Sequence, residues 1–405
     1  MSRVALIAAM ILSFTAVSVV SNAADEPQVS RGLAKTLKAA NDALQAKNYT
    51  EVLNKTREAL AMTPRSAYDD YVIHYFQVPA YASQNNYPAL AESIEAIIDS
   101  TYLPAAQKPQ LLRTLMSVYY EQKNYDKAVT YGERARAAGD TSPDTQIMIA
   151  QSYYLGGKCK EAMTEMDTVV ARDEQAGRKP SEKALNLIWN CAVKTKDDAA
   201  ASRAIEKLIL HYPKPDYWSN AMVGVLNTKT NDDRLRLMTY RLMFQVGILK
   251  RAENYTELAQ IALDQGNPGL AQTVLEQAFA KNLYTDAHDK ERNQRLLDKV
   301  RRSATDDRAT MPKQERDAGA AQSGDALVQV GGAYLGYDQP DKAIAAITSG
   351  ISKGNLKRPD EAYMLLGIAY VRNKNSAEAV RAFNRANSDP KYAQLAKLWA
   401  LEART

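Results

Sequence analysis

The sequence is poor in the residues that most often build metal centres and redox sites. Its 405 residues include 2 cysteines and 3 histidines, and His74, His211 and His288 are far apart along the chain. Because metal ligands cluster at short, characteristic spacings, this distribution predicts no metal site. The motifs of zinc peptidases, nucleophile-elbow hydrolases, P-loop NTPases and dinucleotide-binding enzymes are also absent from the sequence. We therefore expect a protein that needs no cofactor and is not an enzyme.

Long hydrophobic runs are absent beyond the N-terminus. The one run, Val4–Val20, follows Arg3 and precedes the small residues Ser21–Ala23. A positive charge, an apolar stretch and small residues in this order are typical of an export signal. We predict that the signal peptide, 1–23, is removed and that the mature chain, from Ala24, is a soluble periplasmic or secreted protein without a membrane span. The alternative is an uncleaved anchor, because about 17 apolar residues are just long enough to cross a bilayer.

A strong charge of one sign is also missing. The 52 Lys and Arg residues nearly balance the 47 Asp and Glu residues, and no long basic run occurs. Nucleic-acid binding usually requires a concentrated basic surface, so no nucleic-acid partner is predicted. The length exceeds what one hydrophobic core usually supports, which predicts several domains or an array of repeats.

Tyrosine is in excess, with 23 Tyr against 5 Phe and 3 Trp. An Asn-Tyr pair recurs every 38 residues, at 48–49, 86–87 and 124–125, in the words KNYTEVL, NNYPALA and KNYDKAV. Apolar residues at helical spacing on both sides predict two helices joined at each pair. We interpret the pair as a joint, in which Asn takes the left-handed conformation that ends one helix and also caps the next. The Tyr ring is expected to pack between the two helices.

The stretch AYMLLGIAYVRNKNSAEAVRAFNRANSDP resembles the tetratricopeptide repeat family, whose pattern of large, small and proline positions it follows. The matching residues are Tyr363, Leu366, Gly367, Tyr370, Ala379, Phe383, Ala386 and Pro390, with the proline one residue early. A second stretch matches at Tyr255, Leu258, Ala259, Ala262, Ala271, Leu275 and Ala278. The resemblance implies an all-α fold, a right-handed α-solenoid of about nine helical hairpins. In each hairpin the first helix, helix A, would line the inner surface.

A residue at the crossing of helix A with the second helix, helix B, sets the repeat register. The crossing positions are Val52, Leu90, Ala128, Ala162, Ala201, Leu235, Ala271, Ala343 and Ala379. They predict an N-terminal array of about seven repeats at 24–283 and two further repeats with a capping helix at 325–405. The charged segment between them, 284–324, is expected to be a long solvated helix and connector, or alternatively a hinge or docking segment.

The two cysteines, Cys159 and Cys191, fall in neighbouring predicted repeats. Stacked hairpins would place them at the same end of adjacent helices, and an exported protein can form disulfides. We predict a disulfide between them, with two buried free thiols as the alternative.

Arrays of this family generally bind peptides or protein segments along helix A, so the resemblance implies a scaffold or adaptor with a protein or peptide partner. In the third to fifth repeats the inner positions are Arg113, Ser117, Tyr120, Gln151, Tyr154, Asn186, Asn190 and Lys194. This polar and aromatic set with two cations suits an extended peptide of some acidic character. The alternatives are a merely solvated inner face, or a structural component of an envelope assembly that contacts several subunits.

Overall fold

The computed structural model describes residues 27–226 and 232–405, and the predicted signal peptide lies outside them. The described residues are all-α and contain no strand. They divide into two compact units, 1–201 and 202–405, so the division falls inside the predicted N-terminal array.

Unit one contains four complete helical hairpins and the first helix of a fifth. Its helices are α1 Arg31–Gln45, α2 Tyr49–Ala61, α3 Ala67–Ser83, α4 Tyr87–Ile97, α5 Lys108–Glu121, α6 Tyr125–Ala137, α7 Pro143–Leu155, α8 Cys159–Gln175 and α9 Glu182–Thr195. Helix α10, Asp198–His211, crosses the division between the units.

Unit two contains four hairpins, one long helix and a final single helix. Its helices are α11 Pro215–Leu226, α12 Asp233–Gln245, α13 Ala252–Asp264, α14 Pro268–Ala280, α15 Ala287–Ala320, α16 Asp325–Gly336, α17 Pro340–Lys353, α18 Pro359–Arg372, α19 Ser376–Arg385 and α20 Pro390–Glu402. The described helices thus form nine consecutive pairs, plus α15 and α20.

The Asn-Tyr pairs lie at the turns from helix A to helix B. The side-chain oxygen of Asn124 accepts a hydrogen bond from the backbone N–H of Lys127 at 3.2 Å, which caps α6, and Asn48 and Asn86 cap α2 and α4 in the same way. The left-handed residue is not the asparagine, whose φ is −89° at Asn124, but the residue before it, with φ of 60° at Lys123. Each joint therefore uses two residues, one to reverse the chain and one to cap the next helix.

The crossing positions, which set the repeat register, lie mostly in the core. Eight of the nine are buried, and Ala201 is partly buried. Successive repeats also pack tightly, because a Cβ atom at Gly132 would lie 2.6 Å from the Ile149 side chain of the next repeat. Small residues at such contacts let the helix backbones approach each other, as the repeat pattern predicts.

A second tyrosine, five residues before several of the helix B N-caps, connects neighbouring elements in three places. The hydroxyl of Tyr119 donates to Glu95 at 2.6 Å, and that of Tyr153 donates to Glu133 at 2.8 Å. In unit two, Tyr334 donates to Glu315 of α15 at 2.6 Å. In each case the acid lies on the preceding helix, so this tyrosine ties one element of the stack to the next.

Helix α15 occupies most of the charged segment 284–324 and is 34 residues long. It buries one face, which includes Leu297, Val300, Ala304 and Met311, and leaves most of its charged residues exposed. Because it is too polar to form a hairpin core of its own, it lies against α14 and α16 as a single long helix.

The final helix closes unit two on itself. Helix α20 packs against α19, with the rings of Phe383 and Trp399 stacked, as expected for a cap on the last repeat. It also packs along α12, where the Trp399 indole N–H donates to the Met238 carbonyl at 3.3 Å and Gln245 donates to Glu402 at 3.0 Å. On the other side, the Asn267 amide donates to the Gly332 carbonyl at 3.0 Å and joins α14 to α16. The helices of unit two thus form a ring instead of an open stack.

Candidate interaction surfaces

The predicted groove residues lie on helices α5, α7 and α9, the A helices of the third to fifth hairpins. The Tyr120 hydroxyl donates to the Gln151 side chain at 3.5 Å, and the Ser117 hydroxyl lies 3.7 Å from the Met148 sulfur. These contacts bring the predicted faces of α5 and α7 together. On α9 the Asn186 amide donates to the Glu182 carbonyl of its own helix, whereas Asn190 and Lys194 are exposed.

Arg113 has a structural partner that its position in the repeat does not reveal. Its guanidinium lies 3.5 Å from the carboxylate of Asp140, whose side chain is only 6 % exposed. Asp140 also accepts hydrogen bonds from the Ser142 backbone at 2.9 Å and the Thr145 hydroxyl at 2.6 Å. Arg113 therefore compensates a buried charge, so its removal would disturb the fold as well as any bound peptide.

Two exposed apolar residues lie beside the predicted set and were missed by sequence reasoning. Leu155 and Val193 are 46 % and 54 % exposed, near the ends of α7 and α9. Counted back from the following N-cap, Val193 is equivalent to Tyr154, and Leu155 is equivalent to Lys194. The signal that could have found them is this register, because an apolar residue at an inner position has no core to enter.

The two cysteines lie next to each other inside unit one. Cys159 begins α8 and Cys191 lies in α9, and both are buried free thiols. Burial, together with a hydrogen bond to Cys159, raises the pKa of Cys191 to about 12. A buried thiol with a raised pKa is a poor nucleophile, and a disulfide between Cys159 and Cys191 stays a prediction.

Unit two contains a partly open cavity of about 690 Å³ between helices α12, α15, α16 and α18 and the turn after α13. Two arginines of α12 line it. Arg234 forms an ion pair with Glu361 at 2.7 Å, which links α12 to α18. Arg241, two turns further along, is 6 % exposed. Burial, and then the charge of nearby Arg372, lower the pKa of Arg241 to about 10.

One group in the described part of the chain has the composition of a metal site. Asp286, His288 and Asp289 lie at the start of α15, mostly exposed. Asp286 accepts a hydrogen bond from the Asp289 backbone as the helix cap, and Asp289 pairs with Arg292 at 3.0 Å. Capping and ion pairing explain these acids, so we assign no metal to them.

The comparisons with known proteins agree with this architecture. The family model of the tetratricopeptide repeat matches residues 360–388, which cover most of the hairpin of α18 and α19. No curated protein sequence matches the chain.

Within 27–226 and 232–405, none of the helices is long and apolar enough to cross a membrane.

Several solved structures are similar to the chain at low identity. A tetratricopeptide repeat protein from Parabacteroides merdae is 13 % identical, over 82 % of this chain and 98 % of that one, with a TM-score of 0.29. Yeast Tom70 is 13 % identical, over 92 % and 88 % of the two chains, with a TM-score of 0.26. The complex of Naa15 and Naa10 with HypK gives 15 % identity, 89 % and 58 % coverage, and a TM-score of 0.34. Such loose superpositions support no argument about partners.

Consecutive hairpins with one capping geometry at their turns define an α-helical repeat protein of the solenoid class. The tetratricopeptide-repeat model matches one hairpin, at 360–388, and the buried crossing residues show that hairpins of similar length recur along the described chain. A helical-repeat architecture of this kind suggests a protein-interaction scaffold.

Proposed function

We propose that the protein is an adaptor that binds an extended segment of a partner protein along the A helices of unit one. The observation that carries the proposal is the pair of exposed apolar residues, Leu155 and Val193, beside the predicted polar set. Apolar side chains exposed near the ends of two consecutive A helices offer a surface that a partner can cover. Lys194, exposed beside Val193, favours a segment with an acidic residue next to its apolar one.

The Arg113–Asp140 pair decides which variants test this surface. Replacing Arg113 leaves Asp140 buried without its counter-charge, so lost binding would be confused with lost stability. Replacing Val193 and Lys194 removes exposed groups, and such changes usually alter stability by no more than about 0.5 kcal/mol. The informative variant is therefore Val193→Ser with Lys194→Ala.

A photo-crosslinking residue at position 193, used in cells that make the full chain, should yield one dominant partner adduct. The matched control position is Lys160, which is exposed on the B helix α8. The purified partner should then bind the parent protein, and the double variant should bind at least tenfold more weakly, because the loss combines apolar burial with a charge-assisted hydrogen bond. Identical adducts at both positions, or unchanged binding by the double variant, would refute the proposal.

We also propose that the adaptor acts after export, in the periplasm or outside the cell. The support is the N-terminal sequence alone, with Arg3, the apolar run Val4–Val20 and the small residues before Asp25. N-terminal sequencing of the native protein should find Ala24 as the first residue. A native chain that still carries Val4–Val20 would contradict export with cleavage.

A further inference from the structure

The arginines of the unit two cavity differ in a way that repeat architecture does not explain. Arg234 and Arg241 lie two turns apart on α12 and line the same cavity. The Arg234 guanidinium is 2.7 Å from the carboxylate of Glu361. Arg241 is more buried, yet within 27–226 and 232–405 no acidic side chain lies within ion-pair distance of it and none accepts a hydrogen bond from it.

The surroundings of Arg241 make its positive charge energetically unfavourable. Arg372 is the charged group that acts on it, and Arg372 repels it. Phe244, Leu270 and Trp399 line a smaller adjoining space with these two arginines. A buried cation without a counter-ion is strongly unfavourable, because it loses hydration without gaining a partner. A buried arginine without an acidic partner is typical of a binding site in which a bound anion supplies the counter-charge.

The rest of the cavity limits what the anion can be. Asp264, Asp307, Asp317 and Glu361 also line the cavity, so it repels a ligand that carries several negative charges. Leu237, Met238 and Leu365 add apolar surface around the same space. A volume of about 690 Å³ lies in the range of small-molecule sites.

We propose that this cavity binds a small zwitterion, an amino acid or a short peptide with a free carboxylate, and that Arg241 receives that carboxylate. A guanidinium can hold a carboxylate by two parallel N–H···O hydrogen bonds, and a site of low polarity makes that contact strong. Asp264 and Asp317, both exposed toward solvent, provide carboxylates for an amino group. The site lies wholly within unit two and is independent of the surface proposed on unit one.

The first test needs no ligand. Arg241→Met keeps the length of the side chain and removes its charge, so the thermal midpoint of the ligand-free full-length protein should rise by about 2 to 4 °C. The matched control is Arg234→Met, which removes the closer of the two arginine partners of the Glu361 carboxylate and should lower the midpoint. If Arg241→Met also lowers the midpoint, Arg241 has a structural role and the proposal fails.

The second test uses defined probes. Tetrapeptide mixtures with a free C-terminal carboxylate, the same mixtures with a C-terminal amide, and glutamate are each titrated against the full-length protein by calorimetry. We expect saturable binding of a carboxylate probe, a loss of at least tenfold for its amide, and a similar loss in Arg241→Met. Comparing the affinity for the peptide mixtures with the affinity for glutamate shows whether the carboxylate comes from a peptide C-terminus or from a free amino acid. No saturable binding of any carboxylate probe up to 10 mM, or equal binding by the variant, overturns the proposal.

Discussion

At the scale of single residues, tyrosine hydroxyls and acidic side chains hold adjacent repeats together. Glu95 of α4 accepts hydrogen bonds from both Tyr119 and Tyr131 at 2.6 Å, and the two rings stack with centroids 5.5 Å apart. The Lys127 ammonium lies 4.4 Å from the Tyr119 ring centroid and 3.3 Å from Glu95. Contacts of this kind between helices account for part of the tyrosine excess in the composition.

This cluster predicts a pH-dependent contribution to stability. Burial opposes ionisation of Glu95, but the hydrogen bonds from Tyr119, Tyr131 and Lys127 outweigh it and lower the pKa of Glu95 below its usual value of 4.5. A carboxyl group whose pKa is lower in the folded state stabilises the fold above its unfolded pKa, and that stability is lost as the pH falls through the folded pKa.

Glu95→Gln should therefore lower the free energy of unfolding at pH 7, and its difference from the parent protein should shrink as the pH falls below about 4. The control is Glu92→Gln, an exposed acid on the same helix, which should change little at either pH. Urea unfolding of both variants at pH 7 and pH 3.5 measures this. A difference for Glu95→Gln that is the same at the two pH values would show that its charge is irrelevant.

At this scale the sequence predicts the helix N-caps but not the ion-pair partners of charged side chains. Asn48, Asn86 and Asn124 were identified because capping is local and depends on the next three residues. The counter-charge of Arg113 and the missing counter-charge of Arg241 depend on side chains that only the folded chain brings near. Spacing in a single sequence contains no information about those contacts.

At the scale of elements, the joint between α15 and the next hairpin depends on a glycine. A Cβ atom at Gly324 would collide with the backbone carbonyl of Gly350 in α17, and a backbone atom cannot move aside cheaply. Gly319, five residues earlier in α15, has no atom near its would-be Cβ.

Gly324→Ala should destabilise the protein by about 1 to 3 kcal/mol, because it overpacks the joint. Gly319→Ala should instead be neutral or stabilise it by up to about 1 kcal/mol, since alanine loses less backbone entropy in a helix. Denaturant unfolding of the two single variants measures both effects. If both substitutions change the free energy of unfolding by the same amount, α16 and α17 do not approach each other closely at Gly324.

The thiol pair gives a second prediction at this scale. A Cys159–Cys191 disulfide would close a loop of about 32 residues and contribute roughly 3 to 4 kcal/mol in the chain-entropy model. Because burial raises the pKa of Cys191 to about 12, the folded thiols should oxidise slowly, and the bridge should form only while the chain folds. Protein refolded in a glutathione redox buffer should lose both free thiols on denaturing alkylation, whereas protein folded in reductant should keep them. Two free thiols after both treatments would contradict the bridge.

Elements were predictable where the repeat pattern is local. The hairpins follow from apolar spacing, small crossing residues and turn signals, all of which lie within one repeat of about 36 residues. The Leu235 register was one residue off, because α12 is capped three residues earlier, by Asp232, and not four. The second partner of α20 was not predictable, since a capping helix and a helix that closes a ring have the same amphipathic pattern.

At the scale of the whole molecule, ring closure changes how unit two should respond to damage. In an open array each repeat depends on its neighbours alone. In unit two, Trp399 contacts both Phe383 of α19 and the Met238 carbonyl of α12. A destabilising change in the last helix should therefore also destabilise α12, which lies far away along the sequence.

Trp399→Ala should cost about 3 to 5 kcal/mol, because it empties a buried site. Amide hydrogen exchange should rise in α12 as well as in α19, while α3 to α6 of unit one keep their protection. The control is Leu398→Ala, which truncates the neighbouring side chain and should leave α12 protected. Faster exchange confined to α18, α19 and α20 would show that closure adds no stability.

The contact between Trp399 and the Met238 carbonyl also determines when α12 can complete its packing. The Trp399 indole binds a carbonyl made 161 residues earlier. A ribosome adds roughly 5 to 20 residues per second, so about 8 to 30 s separate the synthesis of the two partners. The hairpins of unit one can pack as each new repeat emerges, whereas α12 must wait for the last helix of the chain. A nascent or prematurely ended chain therefore exposes the apolar side of α12 to chaperones and proteases, and completion of the C-terminus is the event that removes it from their reach.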